Sequence, residues 1–324
     1  MKAIFRLPFE EKFILIHHHE AARNVASFFP FTNGKTIHLQ ADHLEVCTSE
    51  ELKSSFFEVE NFPEMNAELN IPQHEEYLQK LEKAIEIIKQ NNLPKLVISR
   101  PIAKEISSIN LEETYQLLCK KYPNTLCYLL ISDEEIWIGA TPEILGKFNK
   151  KTHEFFTMSL AGTLPINEEW SEKEIEEQKP VTHYISEILK KYVTLSEVEE
   201  SETYNHISGN IKHLRTDFTA KIEDNRLEEL IEELHPTPAV CGIPKDFCKE
   251  KIIEIEQYNR EFYAGYIKIE TEEEIYYFVN LRCAKIYKNQ VIAFAGGGIT
   301  ALSSPEKEWR ETELKSQAIL HHLQ

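Results

Sequence analysis

The sequence is poor in positive charge and in long hydrophobic runs, and each shortage excludes a class of protein. Its 36 Lys and Arg residues face 54 Asp and Glu residues, which leaves a formal net charge of −18. Nucleic acid binding needs clustered positive charge, so we expect no nucleic acid partner. No window approaches the ~18 uninterrupted apolar residues of a membrane span. The apolar run at the N-terminus is interrupted at residues 10–12 before it reaches the length of a signal peptide.

Cysteine is also scarce, and its spacing is irregular. The six Cys residues form no C-x-x-C pair, which in a chain of this size indicates reduced thiols rather than a disulfide framework. We therefore expect a soluble cytoplasmic protein without a membrane partner, and a monomer by default. Because the protein is strongly acidic, it repels an anionic substrate at long range. A site for such a substrate would need its own cations, either Arg and Lys side chains or a bound metal.

The apolar residues that are present follow helical and strand periodicities in separate groups. Hairpin-like strands with helices clustered between them predict an α+β protein with antiparallel sheet. No linker or repeat divides the chain, so we expect one domain over residues 1–324, with 1–72 completing the sheets and 73–324 carrying the motifs. The predicted helices are 73–92, 111–122, 171–192, 227–234 and one that begins near 304–305. The predicted strands are 13–17, 35–40, 95–105, 125–132, 135–140, 153–160, 262–270, 275–287 and 291–295.

The last predicted helix carries acidic residues at helical spacing. Glu308, Glu311 and Lys315 are separated by three and then four residues, so they share one face. Two carboxylates on one face are able to hold a hard divalent cation such as Mg²⁺, which takes oxygen ligands. From this stretch alone, a solvated charged face is the more common alternative.

Three glycines precede that helix. Gly296, Gly297 and Gly298 follow a predicted strand, and they allow close backbone approach and unusual backbone angles, so that N–H groups face an anion. A simple bend between strand and helix is an equally good interpretation. The spacing is not that of a dinucleotide-binding loop.

Four charged residues have no clear role when each is considered alone. Arg282 and Arg260 lie among apolar neighbours, and a buried Arg needs a carboxylate from the protein or from a ligand. Lys95 and Glu143 are isolated in sequence, and each taken alone is more typical of a surface charge.

Nine segments, taken together, resemble the chorismate-utilising enzymes, which include isochorismate, salicylate, anthranilate and aminodeoxychorismate synthases. They occur in the family's order between residues 94 and 319. The resemblance implies two packed, mostly antiparallel sheets with helices outside, chorismate as the substrate and Mg²⁺ as the cofactor. The segments are PKLVISR, GATPEIL, SLAGT, EEQKPVTHYI, HLRTDF, LHPTPAVCG, EQYNREFYAGY, VNLRCAKIY and FAGGGITALSSPEKEWRETELKSQAI.

Two positions within the resemblance favour one reaction. Lys95 stands where isochorismate and salicylate synthases carry a lysine general base, whereas the amine-transferring members carry glutamine. Ala161 stands where aminodeoxychorismate synthase carries a nucleophilic lysine. Together they imply water as the nucleophile, hence an isochorismate synthase that feeds menaquinone or siderophore biosynthesis. Salicylate synthase and a non-catalytic chorismate-binding relative are the alternatives.

The resemblance also implies a role for each site residue. Lys95 would activate the water that attacks C2, and Glu143 would protonate the departing C4 hydroxyl. Mg²⁺ would be held by Glu177 and Glu308, with Glu311 close by; Gln178 stands where many relatives have His. The remaining expected positions bind or line the substrate site: Ala161, Gly162, Thr163, His213, Tyr263, Arg282, Gly296, Gly297, Gly298 and Lys315.

Overall fold

The computed structural model describes residues 1–65, 69–193, 197–208 and 211–324. Within these residues the chain forms two large sheets flanked by helices, which confirms the predicted α+β class and two-sheet architecture. None of the described helices is long and apolar enough to cross a membrane. The helices are α1 (His74–Asn91), α2 (Leu111–Lys121), α3 (Glu172–Leu189), α4 (Leu227–Leu234), α5 (Lys245–Glu256) and α6 (Pro305–Leu320). The strands are β1 (Lys2–Arg6), β2 (Phe13–His17), β3 (Arg23–Phe29), β4 (Ile37–Ala41), β5 (Glu45–Cys47), β6 (Leu96–Glu105), β7 (Leu126–Ile131), β8 (Ile136–Thr141), β9 (Ile144–Asn149), β10 (Glu154–Pro165), β11 (Glu199–Glu200), β12 (Tyr204–Ser208), β13 (Ile211–Lys221), β14 (Tyr266–Glu270), β15 (Glu274–Val279), β16 (Cys283–Ile286) and β17 (Gln290–Ile299).

The first sheet has the strand order β5-β2-β1-β7-β8-β16-β17-β6, and its strand pairs are antiparallel. Both faces of this sheet are buried, as β7 shows: alternate side chains of β7 enter different cores. Leu126, Tyr128 and Leu130 join the large core between the sheets, whereas Cys127 and Leu129 join a smaller core beneath α2. The two-residue repeat of a strand explains this division, and it explains why β7 is continuously apolar.

The second sheet has the order β11-β13-β10-β9-β15-β14-β3-β4, with β12 added beside β13. Residues 1–72 contribute strands to both sheets: β1, β2 and β5 to the first, β3 and β4 to the second. The N-terminal segment, which carries no recognisable motif, is therefore part of the scaffold around both cores.

Two helices on different sheets bring their polar faces together. α3 packs on β10 of the second sheet, and α6 packs on β17 of the first. α3 begins where the sequence predicts, with the capping box of Ser171 and Glu174. α6 has Pro305 in its first turn, a position where the missing N–H costs nothing.

The segment 275–287 is not the single strand that its apolar character predicts. It forms β15 in the second sheet and β16 in the first, separated by residues 280–282. Asn280 holds this crossing, since its amide accepts from Tyr128 Oη at 2.8 Å and donates to the Phe262 carbonyl at 3.0 Å. Arg282 ends the crossing with φ of 46°, a left-handed conformation that is costly for a long side chain and recurs at functional sites.

The glycine segment also differs from both expectations. β17 continues through Gly296–Gly298 in register with Ile98 and its neighbours on β6, so the glycines form neither a bend nor a loop of unusual backbone angles. Among the described pairings, β16 accompanies β17 only as far as Phe294. Beyond that point one edge of β17 borders a cavity, and this cavity holds the candidate site.

Candidate active site

A cavity lies where β17 of the first sheet faces β10 of the second sheet and α3. Most of the site residues expected from the sequence line it, although they come from segments far apart in the chain. They are Glu143, Ala161, Gly162, Thr163, Glu177, His213, Tyr263, Arg282, Gly296, Gly297, Gly298 and Lys315. An outer cavity, bordered by Lys173, Glu308 and Glu311, adjoins it and shares Thr163 with it.

Lys95, immediately before β6, is not among the residues that line the inner cavity, but it lies beside Glu177 and Gly298, which do. Its side chain is 0% exposed, and its Nζ lies 3.2 Å from Oε1 of Glu177. Burial lowers the pKa of the Lys95 ammonium, although the Glu177 carboxylate acts in the opposite direction. The expectation that Lys95 is a surface charge, drawn from the residue taken alone, is therefore wrong. Burial thus makes the Lys95 ammonium easier to deprotonate than an exposed lysine, which is the direction that a general base requires.

Glu143 lines the same cavity at the turn between β8 and β9. It is 3% exposed, so it too is not the surface charge that its isolated position indicates. Burial raises the pKa of its carboxyl to about 8, against the attraction of Lys95 and Lys315. Glu143 is therefore largely protonated at neutral pH, which is the state that a general acid needs.

Glu177, Glu308, Glu311 and Glu174 form an acidic cluster around the ammonium of Lys173. Lys173 Nζ lies 3.2 Å from Glu177 Oε2 and from Glu308 Oε1, 3.8 Å from Glu311 Oε2 and 4.0 Å from Glu174 Oε1. Glu308 is 2% exposed, so the solvated face favoured by the helix sequence alone is also wrong. We call Glu174, Glu177, Glu308 and Glu311 the carboxylate cluster.

Within the carboxylate cluster, the pKa values of Glu177 and Glu308 are shifted in opposite directions. Burial would raise the pKa of Glu177, but Lys95, Lys173 and Lys315 outweigh it and hold that pKa well below its usual value. For Glu308, burial is the larger effect; it raises the pKa in spite of Lys173, and Glu311 adds to the rise. Glu308 is the member of the cluster whose charge is least compensated.

The opposite wall of the cavity carries Arg282 and His213. Arg282 Nη2 donates to Nε2 of His213 at 2.8 Å, while Nδ1 of the same ring lies 3.1 Å from the Gly162 carbonyl and 3.2 Å from Thr163 Oγ1. Burial and the charge of Arg282 both lower the pKa of His213. The ring is therefore neutral and fixes the guanidinium against the cavity wall.

Two glycines are required by the packing of this site. Gly162 has φ of +70°, and a Cβ there would lie 3.2 Å from the backbone of Glu174. A Cβ on Gly298 would lie 2.2 Å from Glu177 Oε1 and 2.8 Å from Lys95 Nζ. The close approach that the glycine run predicts is thus present, although it arises within a regular strand. Lys315 fixes this strand from α6 by donating to the Gly296 carbonyl at 2.8 Å.

Comparisons with known proteins show the family to which the chain belongs. The model of the family described as chorismate binding enzyme matches residues 5–324. The chain belongs to this family. Chorismate binding enzymes similar to the chain include the isochorismate synthase EntC of Escherichia coli (strain K12), which is 30% identical over 271 residues, or 78% of this chain and 68% of EntC.

Two further isochorismate synthases are similar to the chain. The chain is 29% identical over 257 residues to the isochorismate synthase MenF of Haemophilus influenzae, which is 74% of this chain and 58% of that protein. It also superposes on the solved structure of MenF, the menaquinone-specific isochorismate synthase from Escherichia coli, with a TM-score of 0.81 and 19% identity over 100% of this chain and 88% of that chain. At that identity the superposition shows the fold alone.

The carboxylate cluster has the chemistry of a site for Mg²⁺. Its donors are carboxylate oxygens, which that ion prefers, and Glu308 Oε2 is buried without a hydrogen-bond partner among the described residues. No group of three or more His, Cys, Asp or Glu in the described ranges is spaced as a metal site. The Lys173 ammonium lies between the carboxylates of Glu177 and Glu308.

Sequence reasoning missed Lys173 and Glu174 as members of the site. A signal was available, since Lys173 lies four residues before Glu177 and so shares its face of α3. Gln178, which departs from the family pattern, donates to Ser159 Oγ at 2.8 Å and ties α3 to β10.

Arg260, by contrast, does not border the site. It pairs with Glu256 inside the protein. The carboxylate partner that a buried Arg260 needs is therefore a protein residue, and the role of Arg260 is structural.

Proposed function

We propose that this protein is an isochorismate synthase, which converts chorismate to isochorismate. The observation that carries the proposal is that Glu143 lines the inner cavity and Lys95 is buried beside Glu177, which lines it too. Burial shifts the two pKa values in opposite directions, toward a neutral lysine and a neutral carboxylic acid. A reaction that adds water at one ring carbon and expels hydroxide at another requires both a base and an acid.

In this mechanism each proton has a defined carrier. Lys95 takes a proton from the water that attacks C2 of the ring. Glu143 gives its proton to the departing C4 hydroxyl, which leaves as water. The hydroxyl has then moved from C4 to C2, and the overall reaction is an isomerisation. Ala161 offers no side-chain nucleophile at the position where a lysine would add to the ring.

Chorismate carries two carboxylates, and the site offers a cationic partner for each. Arg282, with Tyr263 and the Gly296–Gly298 backbone, would bind the enolpyruvyl carboxylate, since a guanidinium favours planar oxyanions. Glu177 and Glu308 would hold Mg²⁺, with Glu311 beside them. When bound, Mg²⁺ would neutralise the ring carboxylate. The local cations thus oppose the repulsion expected from the net charge of −18.

Chorismate turnover by the purified protein tests the proposal. The protein would be freed of metal with EDTA and assayed with and without added Mg²⁺, with products separated by chromatography. We expect isochorismate, formed only with Mg²⁺. Salicylate plus pyruvate would replace the proposal with salicylate synthase. Bound but unconverted chorismate would indicate a binding protein instead.

The proposal also includes a cytoplasmic monomer. Light scattering after size-exclusion chromatography tests the monomer, since a particle of twice the 37.8 kDa chain mass would contradict it.

A further inference from the structure

The ammonium of Lys173 lies where the proposed function requires a divalent cation. It borders the outer cavity, and its Nζ lies 3.2 Å from both Glu177 and Glu308, the two proposed metal ligands. We propose that Lys173 is an internal counter-ion of the metal-free protein, which occupies the carboxylate cluster until a divalent cation displaces it. This inference rests on the proposed function, because it concerns the same carboxylates.

The contacts of Lys173 are those of a centrally placed cation that several carboxylates share. Its separations from carboxylate oxygens run from 3.2 to 4.0 Å. Optimised charge-assisted N–H···O bonds are about 2.7–2.9 Å long, and Lys315 reaches Glu311 at 2.7 Å nearby. Lys173 therefore shares its charge among several carboxylates and makes an optimised bond with none, although together they hold the pKa of its ammonium well above its usual value.

The carboxylates differ in how much they depend on Lys173. Glu177 also pairs with Lys95, and Glu311 also pairs with Lys315. Glu308 has Ser303 Oγ at 2.7 Å, but a hydroxyl carries no charge. Since Glu308 is buried, removal of Lys173 without a replacement cation would leave its carboxylate without a charged partner among the described residues. The ammonium therefore leaves only when another cation arrives.

Lys173 has a route out of the cluster. Its side chain borders the outer cavity together with Glu168 and Glu169, which offer acidic neighbours to a displaced ammonium. The lysine stem is flexible and its head is readily hydrated. Lys173 can thus swing toward solvent without movement of the backbone of α3.

Occupation by Lys173 has a measurable cost for metal binding. When the competent state is only a fraction of the population, the apparent dissociation constant equals the intrinsic one divided by that fraction. If Lys173 occupies the cluster in about nine molecules out of ten, Mg²⁺ binds about tenfold more weakly than the carboxylates alone would allow.

The experiment is a calorimetric titration of the chorismate-free protein with MgCl₂ after EDTA treatment. For Lys173→Met, which keeps the length of the side chain and removes its charge, we expect the dissociation constant for Mg²⁺ to fall by about tenfold. We also expect the thermal midpoint of the metal-free variant to fall, and its rise on addition of Mg²⁺ to exceed that of the wild type. Lys179→Met on the exposed side of α3 is the matched control, since Lys179 pairs only with Glu176 among the described residues.

The outcomes separate this inference from the proposed function. Mg²⁺ binding that is lost in Glu308→Gln but unchanged or weaker in Lys173→Met would overturn the counter-ion role and leave the metal site standing. Mg²⁺ binding absent from the wild type and from Lys173→Met would overturn both. If Lys173→Met is unfolded in EDTA, recovery of its thermal transition by Mg²⁺ alone supports the inference, and failure to recover overturns it.

Discussion

Two buried charge clusters in this protein differ in how completely their polar atoms are paired. Arg260 and Glu256 form a closed pair: Arg260 donates to Glu256 and to the carbonyls of Val240 and Val97 at 2.8 and 3.0 Å, and Glu256 also accepts from Ser99. In the carboxylate cluster the central Lys173 lies 3.2 Å or more from each oxygen, and Glu308 Oε2 has no partner among the described residues.

This difference shows that burial of a charge does not by itself indicate a functional site. Arg260 and Glu256 are each 2% exposed, and Glu177 and Glu308 of the carboxylate cluster are 5% and 2% exposed. Both clusters include residues that sequence patterns leave ambiguous. A closed pair has no capacity for a further ligand, whereas an open cluster needs one. Incomplete pairing is therefore the better marker of function, and variants of the two clusters are expected to have opposite effects.

The largest expected effect on stability comes from the closed pair. Glu256→Gln leaves the Arg260 guanidinium buried without a carboxylate, so we expect the free energy of unfolding to fall by about 3–5 kcal/mol. Urea denaturation followed by circular dichroism measures this loss. A loss below about 1 kcal/mol, typical of an exposed pair, would contradict the structural role of Glu256.

Glu308→Ala is expected to have the reverse profile. Turnover of chorismate should fall by about a thousandfold or more, because a metal ligand contributes several kcal/mol to the reaction. The thermal midpoint of the metal-free protein should stay the same or rise, since burial already disfavours the charge of Glu308. Near-normal turnover in this variant would refute the metal assignment, and a large loss of stability would refute the contrast between the clusters.

Lys95→Met tests the proposed general base, whose Nζ also lies 3.2 Å from Glu177 of the carboxylate cluster. Loss of a general base should lower kcat by about 100- to 10,000-fold. Mg²⁺ binding should persist, since Glu177 keeps its carboxylate. Steady-state kinetics together with a Mg²⁺ titration check both expectations, with Lys179→Met as the control. A reduction in kcat of less than tenfold would assign proton removal to another group.

The effect of Glu143 on stability depends on pH. Its pKa is about 8 in the folded protein and 4.5 in the reference state, so the unfolded chain loses this proton at lower pH than the folded chain. The contribution of Glu143 to stability is therefore full below pH 4.5 and declines as the pH rises toward 8. Glu143→Gln should stabilise the protein at pH 7 by on the order of 2 kcal/mol, and less at pH 5.

Turnover gives an independent reading of the same pKa. The wild-type kcat should decline above pH 8 as Glu143 loses its proton, and Glu143→Gln should be inactive at every pH. An unfolding difference that does not change between pH 5 and pH 8 would show that Glu143 is not held protonated by burial.

The fold was predictable where local patterns decide it. The 3.6-residue periodicity predicts α1 within one residue at each end, and the capping box places the start of α3. The pattern failed at residues 275–287, because strands buried on both faces are continuously apolar and nothing local marks the change of sheet. α5 was missed although Cys248, Ile252 and Ile255 are buried at helical spacing.

The site was predictable only through resemblance. Lys95 and Glu177 are 82 residues apart in sequence and 3.2 Å apart in space, so no local rule shows that both are buried. The resemblance supplied the expected roles, but it did not supply Lys173, whose position depends on the packing of α3 against α6.

Because the site residues come from distant segments of the chain, they are also synthesised at different times. Glu308, Glu311 and Lys315 belong to α6, which follows every other strand and helix described here. A ribosome synthesises the chain from its N-terminus, and earlier segments begin to fold first. Lys95, Glu143 and Glu177 therefore emerge long before their partners on α6, and a translation product that stops before α6 contains both proposed proton carriers but no complete cation site.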